Sequence, residues 1–227
     1  MTASGSVREP STDCPLCPRL ADFRQDNRRK FPAGHNAPVR SFGKAGARLL
    51  VVGLAPGLHG ANMTGRPFTG DWAGDLLYET LGRYGFAQGR YDERPDDGLT
   101  LVDCVITNAV RCVPPANKPT PAEISTCRTF LLDCIGSLER LEAVVVLGRI
   151  AHESLLRACS TRLASAPFGH GSEHEIRHGS GTIRLFDSYH CSRYNTNTGV
   201  LTPEMFRAVF ARVRQVLDGS VALPTTT

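Results

Sequence analysis

Three short apolar runs do most to limit what this chain can fold into. Arg48–Leu54 (RLLVVGL), Leu101–Asn108 (LVDCVITN) and Leu141–Gly148 (LEAVVVLG) are brief and rich in β-branched residues. Runs of this kind form strands buried on both faces of a parallel sheet. A fourth run, Thr182–Tyr189 (TIRLFDSY), also has strand character. Helical patterns alternate with them at Asp71–Tyr84, Thr120–Leu138, Gly148–Cys159 and Thr202–Leu217. The second helix opens Thr120-Pro121-Ala122-Glu123, a capping box with proline at the first helical position. The last helix places Phe206, Val209, Phe210, Val213, Val216 and Leu217 on one face. Strands alternating with helices predict an α/β fold, a three-layer α/β/α sandwich with a central four-stranded parallel sheet. Ligands of such sheets bind beyond the carboxyl ends of the strands.

A chain of 227 residues is enough for one substantial core. No repeat or low-complexity linker divides it, so we expect a single domain over residues 13–218. Residues 1–12 are expected to be a disordered lead and 219–227 a frayed tail. No run of about 18 apolar residues is present, so a membrane-spanning helix is not expected. The first thirteen residues are polar and carry no signal-peptide core, which makes the cytoplasm the expected compartment. The formal charge is +4, which permits an anionic partner without requiring one.

In a reducing compartment the chain's eight cysteines are not read as a disulfide scaffold. Cys14 and Cys17 form a C-x-x-C pair, and Cys112 and Cys127 lie far downstream. Two thiolates in one tight loop suit tetrahedral zinc or a corner of an iron–sulfur cluster. Four unrelated thiols are the plain alternative. Cys104, Cys134 and Cys159 read as core residues. Cys191 follows His190 in a polar loop that could expose it.

Polar and glycine-rich segments gather at three strand ends. After the first strand comes Gly53-Leu54-Ala55-Pro56-Gly57-Leu58-His59-Gly60, then Gly65-Arg66-Pro67-Phe68-Thr69-Gly70-Asp71. This is neither a P-loop nor a G-x-G-x-x-G fingerprint. Asp71, at a helix start, reads first as an N-cap, with a reactive carboxylate as the alternative. Asn108 ends the second strand and offers a donor beside an acceptor, which suits reading a base edge. The fourth strand ends in Tyr189-His190-Cys191-Ser192-Arg193-Tyr194-Asn195.

Taken together, G-x-A-P-G running into G-R-P-F-x-G, the T-N-A-V-x-C strand end, the H-x-S-x-x-N loop and the four cysteines resemble the uracil-DNA glycosylase superfamily. The resemblance covers nearly the whole chain. Family 4 carries an acidic residue inside G-E-A-P-G, where this chain has Leu54. The carboxylate falls instead at Asp71, as in family 5. Two positions depart from the family pattern, with Met63 in place of Arg and Cys191 in place of Pro.

The resemblance implies a monomeric DNA-repair enzyme that flips out uracil and related deaminated bases and hydrolyses the N-glycosidic bond. It implies a [4Fe–4S] cluster on Cys14, Cys17, Cys112 and Cys127, whose four thiolates and 2+ core would subtract two from the formal charge. Asp71, His190 and Asn108 become the expected catalytic residues, with Asp71 serving the sugar or the attacking water and His190 the base O2. Gly53, Ala55, Pro56, Gly57, His59, Phe68 and Asn195 become expected substrate contacts, with Phe68 stacking on the flipped base. Arg66, Arg111, Arg193 and Tyr194 become expected DNA contacts. The rival expectation is a non-enzymatic nucleic-acid module with a structural zinc.

Overall fold

The computed structural model describes residues 8–179 and 181–219. In chain order its elements are α1 (Pro18–Lys30), β1 (Phe42–Gly43), β2 (Leu49–Gly53), α2 (Ala61–Thr64), α3 (Trp72–Arg83), β3 (Ala87–Gln88), β4 (Thr100–Leu101), β5 (Cys104–Asn108), α4 (Pro121–Gly136), β6 (Ala143–Leu147), α5 (Arg149–Ala158), β7 (Glu173–His178), β8 (Gly181–Ser188), α6 (Arg193–Asn197) and α7 (Pro203–Leu217).

The strands form a six-stranded sheet in the order β1-β5-β2-β6-β8-β7, with β3 and β4 a separate small pair. The four central strands are parallel, as their sequences imply. Two antiparallel edge strands, β1 and β7, extend the expected sheet. β7 is largely polar (Glu-His-Glu-Ile-Arg-His) and lacks the apolar run that marks its neighbours.

Every residue of β2, β5 and β6 is buried. Within β2, Leu49 and Val51 face α3 and α7, while Leu50 and Val52 face α4 and α5. Helices therefore cover both faces, giving the expected three layers. The capping box of α4 is present: Glu123 N–H donates to Thr120 Oγ1 at 3.3 Å, and Thr120 N–H donates to Glu123 Oε2 at 2.7 Å.

Residues 8–12 correct the expected lead. Glu9 pairs with buried Arg111 at 2.9 Å and accepts the N–H of Ser41, so this stretch belongs to the body. The rest of the lead, and the tail beyond residue 219, lie outside the described residues.

Arg66 and Arg111 correct a second expectation. Both are buried (4% and 1% exposed) and cannot meet DNA phosphates. Arg66 donates to both oxygens of Asp97 (2.8 and 2.7 Å) and to Thr69 Oγ1 (2.8 Å), among the rings of Phe42, Tyr78 and Tyr91. Arg66 holds the Asp97 carboxyl well below the usual carboxylate range. A depressed carboxylate pKa contributes stability above the unfolded value, about 4, which is lost as pH falls toward the folded value. Asp97→Asn should cost about 3 kcal/mol at neutral pH, by breaking a buried pair. In urea unfolding followed across pH, the gap to the unsubstituted protein should narrow below about pH 4.

Candidate active site

Among the parallel strands, β2 is flanked by β5 on one side and β6 on the other, so consecutive connections leave in opposite directions. A crevice opens at such a switch point, beyond the strand ends. Here it is a cleft of about 450 Å³, walled by residues 54–61, by Phe68, Asp71, Trp72 and Ala73, by Asn108 and Asn117, and by His190, Ser192 and Arg193. Three loops that are distant in sequence meet there.

Asp71 is the N-cap residue of α3, yet its side chain makes no cap hydrogen bond. Its Oδ1 is buried without a partner. The carboxylate sits against Gly57 and Gly60, and a Cβ built on Gly60 would come within 2.5 Å of Oδ2. Burial raises the pKa of Asp71, the nearby N–H groups of Gly74 and Ala73 oppose that, and Asp75 and Glu93 push it up further.

Asn108, at the end of β5, is buried and its Oδ1 also lacks a partner. Gly53 pairs beside it in the sheet, and a Cβ on Gly53 would collide with Asn108 Oδ1 and Phe68 Cζ. Phe68 is buried with a left-handed backbone (φ 52°) and stacks at 6.0 Å from the ring of His190. Tyr91 Oη donates to its carbonyl at 3.2 Å.

His190 follows β8 and has no charged partner. Burial alone pushes its pKa down to about 4. Above that pH the imidazole is neutral and offers one N–H. Cys191 is fully buried against Ala73 rather than exposed.

Ala55, Pro56, Gly57 and His59 line the cleft, His59 at its exposed rim beside Phe31. Gly53 shapes it from behind. Asn195 stands outside the lining: its Nδ2 donates to the carbonyl of His190 at 2.8 Å and props that loop. Arg193 lies at the mouth, with Tyr194 beside it in the chain and 74% exposed. Asn117 is a wall residue that the sequence reading missed. It follows Ala116, and both have left-handed backbones (φ 53° and 56°). The one signal was an Asn between Pro115 and Pro119, since Asn tolerates that conformation.

Cys14, Cys17, Cys112 and Cys127 share a recess with Leu20, Arg24 and Phe130. Arg24 Nη1–H donates to Cys112 Sγ at 3.6 Å, and the N–H of Arg111 to Cys127 Sγ at 3.3 Å. Burial pushes the thiols of Cys112 and Cys127 up to about 11 and about 12, with neighbouring thiols adding to the effect. Four thiolates are tolerable there only around a cation. Among the described residues, no three such side chains converge closely enough for a single metal ion. Four cysteines in a recess with no carboxylate or histidine in its lining are a donor set that suits an iron–sulfur cluster or tetrahedral zinc.

The family model for the uracil DNA glycosylase superfamily matches residues 40–214. The chain belongs to the uracil-DNA glycosylase superfamily. It is 42% identical over 210 residues to the type-5 uracil-DNA glycosylase of Thermus thermophilus, covering 90% of this chain and 94% of that protein. It is 40% identical to that of Mycobacterium tuberculosis, covering 89% and 78%. To the type-4 enzyme of Pyrobaculum aerophilum it is 31% identical, covering 81% and 80%. Identity is higher to the two type-5 enzymes than to the type-4 enzyme.

The cleft's electrostatics carry a direct check. An NMR titration should find His190 neutral down to a midpoint near pH 4, where an unperturbed histidine titrates near 6.5. A midpoint above about 6 would contradict the burial argument.

Proposed function

We propose that this chain is a uracil-DNA glycosylase that takes uracil and related deaminated bases out of the DNA stack and hydrolyses the N-glycosidic bond. The observation that carries the reading is the convergence of two orphaned oxygens, Asp71 Oδ1 and Asn108 Oδ1, with a neutral histidine at one cleft. Leaving a buried acceptor unpaired costs about 1–3 kcal/mol, and a ligand that donates to both oxygens would recover that cost. Two type-5 relatives at 40% identity or more support the substrate class.

Cleaving this bond leaves a cation-like sugar and an anionic base. Asp71 faces the sugar, where its charge stabilises the cation or orients water. His190 donates its N–H to the base O2, and a neutral donor suffices because the charge develops only as the bond breaks. Phe68 stacks on the base, a contact of about 1–3 kcal/mol. Asn108 reads the base edge. Arg193 and Tyr194 meet the DNA at the mouth.

A [4Fe–4S] cluster would be held by Cys14, Cys17, Cys112 and Cys127, and when bound it supplies a cross-link between the N-terminal segment and the start of α4. Hydrolysis needs no redox step. A zinc module without catalysis leaves the convergence in the cleft unexplained. The protein is proposed to act as a monomer in the cytoplasm, as one domain.

Asp71→Asn should lower single-turnover cleavage of uracil-containing duplex by about 10²–10⁴-fold while leaving DNA binding intact. Cleavage near the unsubstituted rate would remove Asp71 from the chemistry. The rate should fall on the acid side with an apparent pKa above the ordinary carboxylate value of about 4, and that limb should vanish in the variant. The purified protein should be brown with about four iron atoms per chain. A colourless protein with one zinc would overturn the cluster.

A further inference from the structure

Trp72 is the chain's single tryptophan, and it is 49% exposed at the mouth of the cleft. An indole left this open forgoes much of the burial that normally accounts for a tryptophan. Its position is explained by what it touches. Its Nε1–H donates to Thr196 Oγ1 at 3.0 Å, and the Arg193 guanidinium lies 5.5 Å from its ring centroid. Both partners belong to α6.

α6 has little else to hold it. None of its five residues is buried. Its remaining hydrogen bonds, among the described residues, run to residues 190–201, within its own stretch of chain. Among the described residues, the indole N–H makes the one hydrogen bond that reaches it from a distant part of the sequence. Trp72 in turn is the first residue of α3 and sits directly after Asp71.

We propose that Trp72 is a positioning residue, a latch that holds α6 against the start of α3 so that Arg193 and Tyr194 are set before DNA arrives. The proposal rests on the glycosylase reading above. Asp71 is seated by Gly57 and Gly60, His190 follows β8 and stacks on Phe68, and the Asn195 bond that props the His190 carbonyl closes within the 190–201 stretch, so none of these contacts uses the indole. The latch therefore acts on binding rather than on the chemical step. With the latch open, α6 must be ordered on each encounter, and that cost appears in KM.

The test uses the intact holoprotein on uracil-containing duplex. Thr196→Val removes the acceptor, Trp72→Phe removes the donor, and Thr196→Ser restores a hydroxyl. Thr196→Val and Trp72→Phe should each raise KM about five-fold, the worth of one modest hydrogen bond, with kcat unchanged. Thr196→Ser should return KM to the original value. An unchanged KM in Thr196→Val, a fall in kcat instead, or no rescue by Thr196→Ser would overturn the latch. Indole fluorescence gives a readout that needs no activity, because only Trp72 contributes. Thr196→Val should shift emission to the red and increase quenching by acrylamide. An unmoved spectrum overturns the latch on its own. A protein with a responsive indole that cleaves no uracil would instead count against the glycosylase reading.

Discussion

The rest of the structure depends on the complete burial of the central strands on both faces. β2, β5 and β6 have no exposed residue. Helices close both sides, so no polar chemistry can emerge from the sheet except at its ends. The strand order then selects one place at those ends, where the chain turns away from β2 in opposite directions. Asp71, Asn108 and His190 lie far apart in sequence and share a cleft because β2, β5 and β8 end at the same height.

That cleft is held in a state it would not adopt unaided. Phe68 occupies the left-handed region, a conformation that costs about 1–3 kcal/mol for a bulky residue. The loop carrying it is fixed from below. Tyr78 Oη donates to the Pro67 carbonyl at 2.6 Å, Tyr91 Oη to the Phe68 carbonyl, and Arg66 braces Thr69 while clamped to Asp97. Arg66 thus serves the site without approaching it. Its charge is spent on a buried carboxylate 31 residues away.

The same residue illustrates what could and could not be read from the sequence. The parallel strands and the four long helices after residue 70 were legible because their apolar spacing is set by neighbours within a few residues. The three loops were legible because glycines and polar groups cluster at strand ends. Arg66 and Arg111 were misread because a buried arginine differs from a solvated one only by its partner, and Asp97 and Glu9 stand far off in the chain. α1 escaped notice for a related reason. Its buried residues are Leu20, Arg24 and Asn27, two of them polar, so it shows no apolar stripe: Leu20 packs with Val110, Cys127 and Phe130, and Arg24 bonds to Cys112 Sγ and the Cys14 carbonyl. Asn195 was placed one step too near the chemistry: it holds the backbone of His190 instead of facing the cleft.

The docking of that polar helix has a consequence for the order in which the molecule assembles. Arg19 bonds to Glu123 across 104 residues, Glu9 to Arg111 across 102, and Arg24 to Cys112 across 88. Chains emerge from the ribosome amino end first. Residues 9–30 are therefore synthesised well before the surface that receives them. Closing so long a loop costs conformational entropy, which the contacts of this segment can offset only once Arg111, Cys112 and Glu123 are in place. The docking of α1 is thus a long-range event that its own sequence cannot drive.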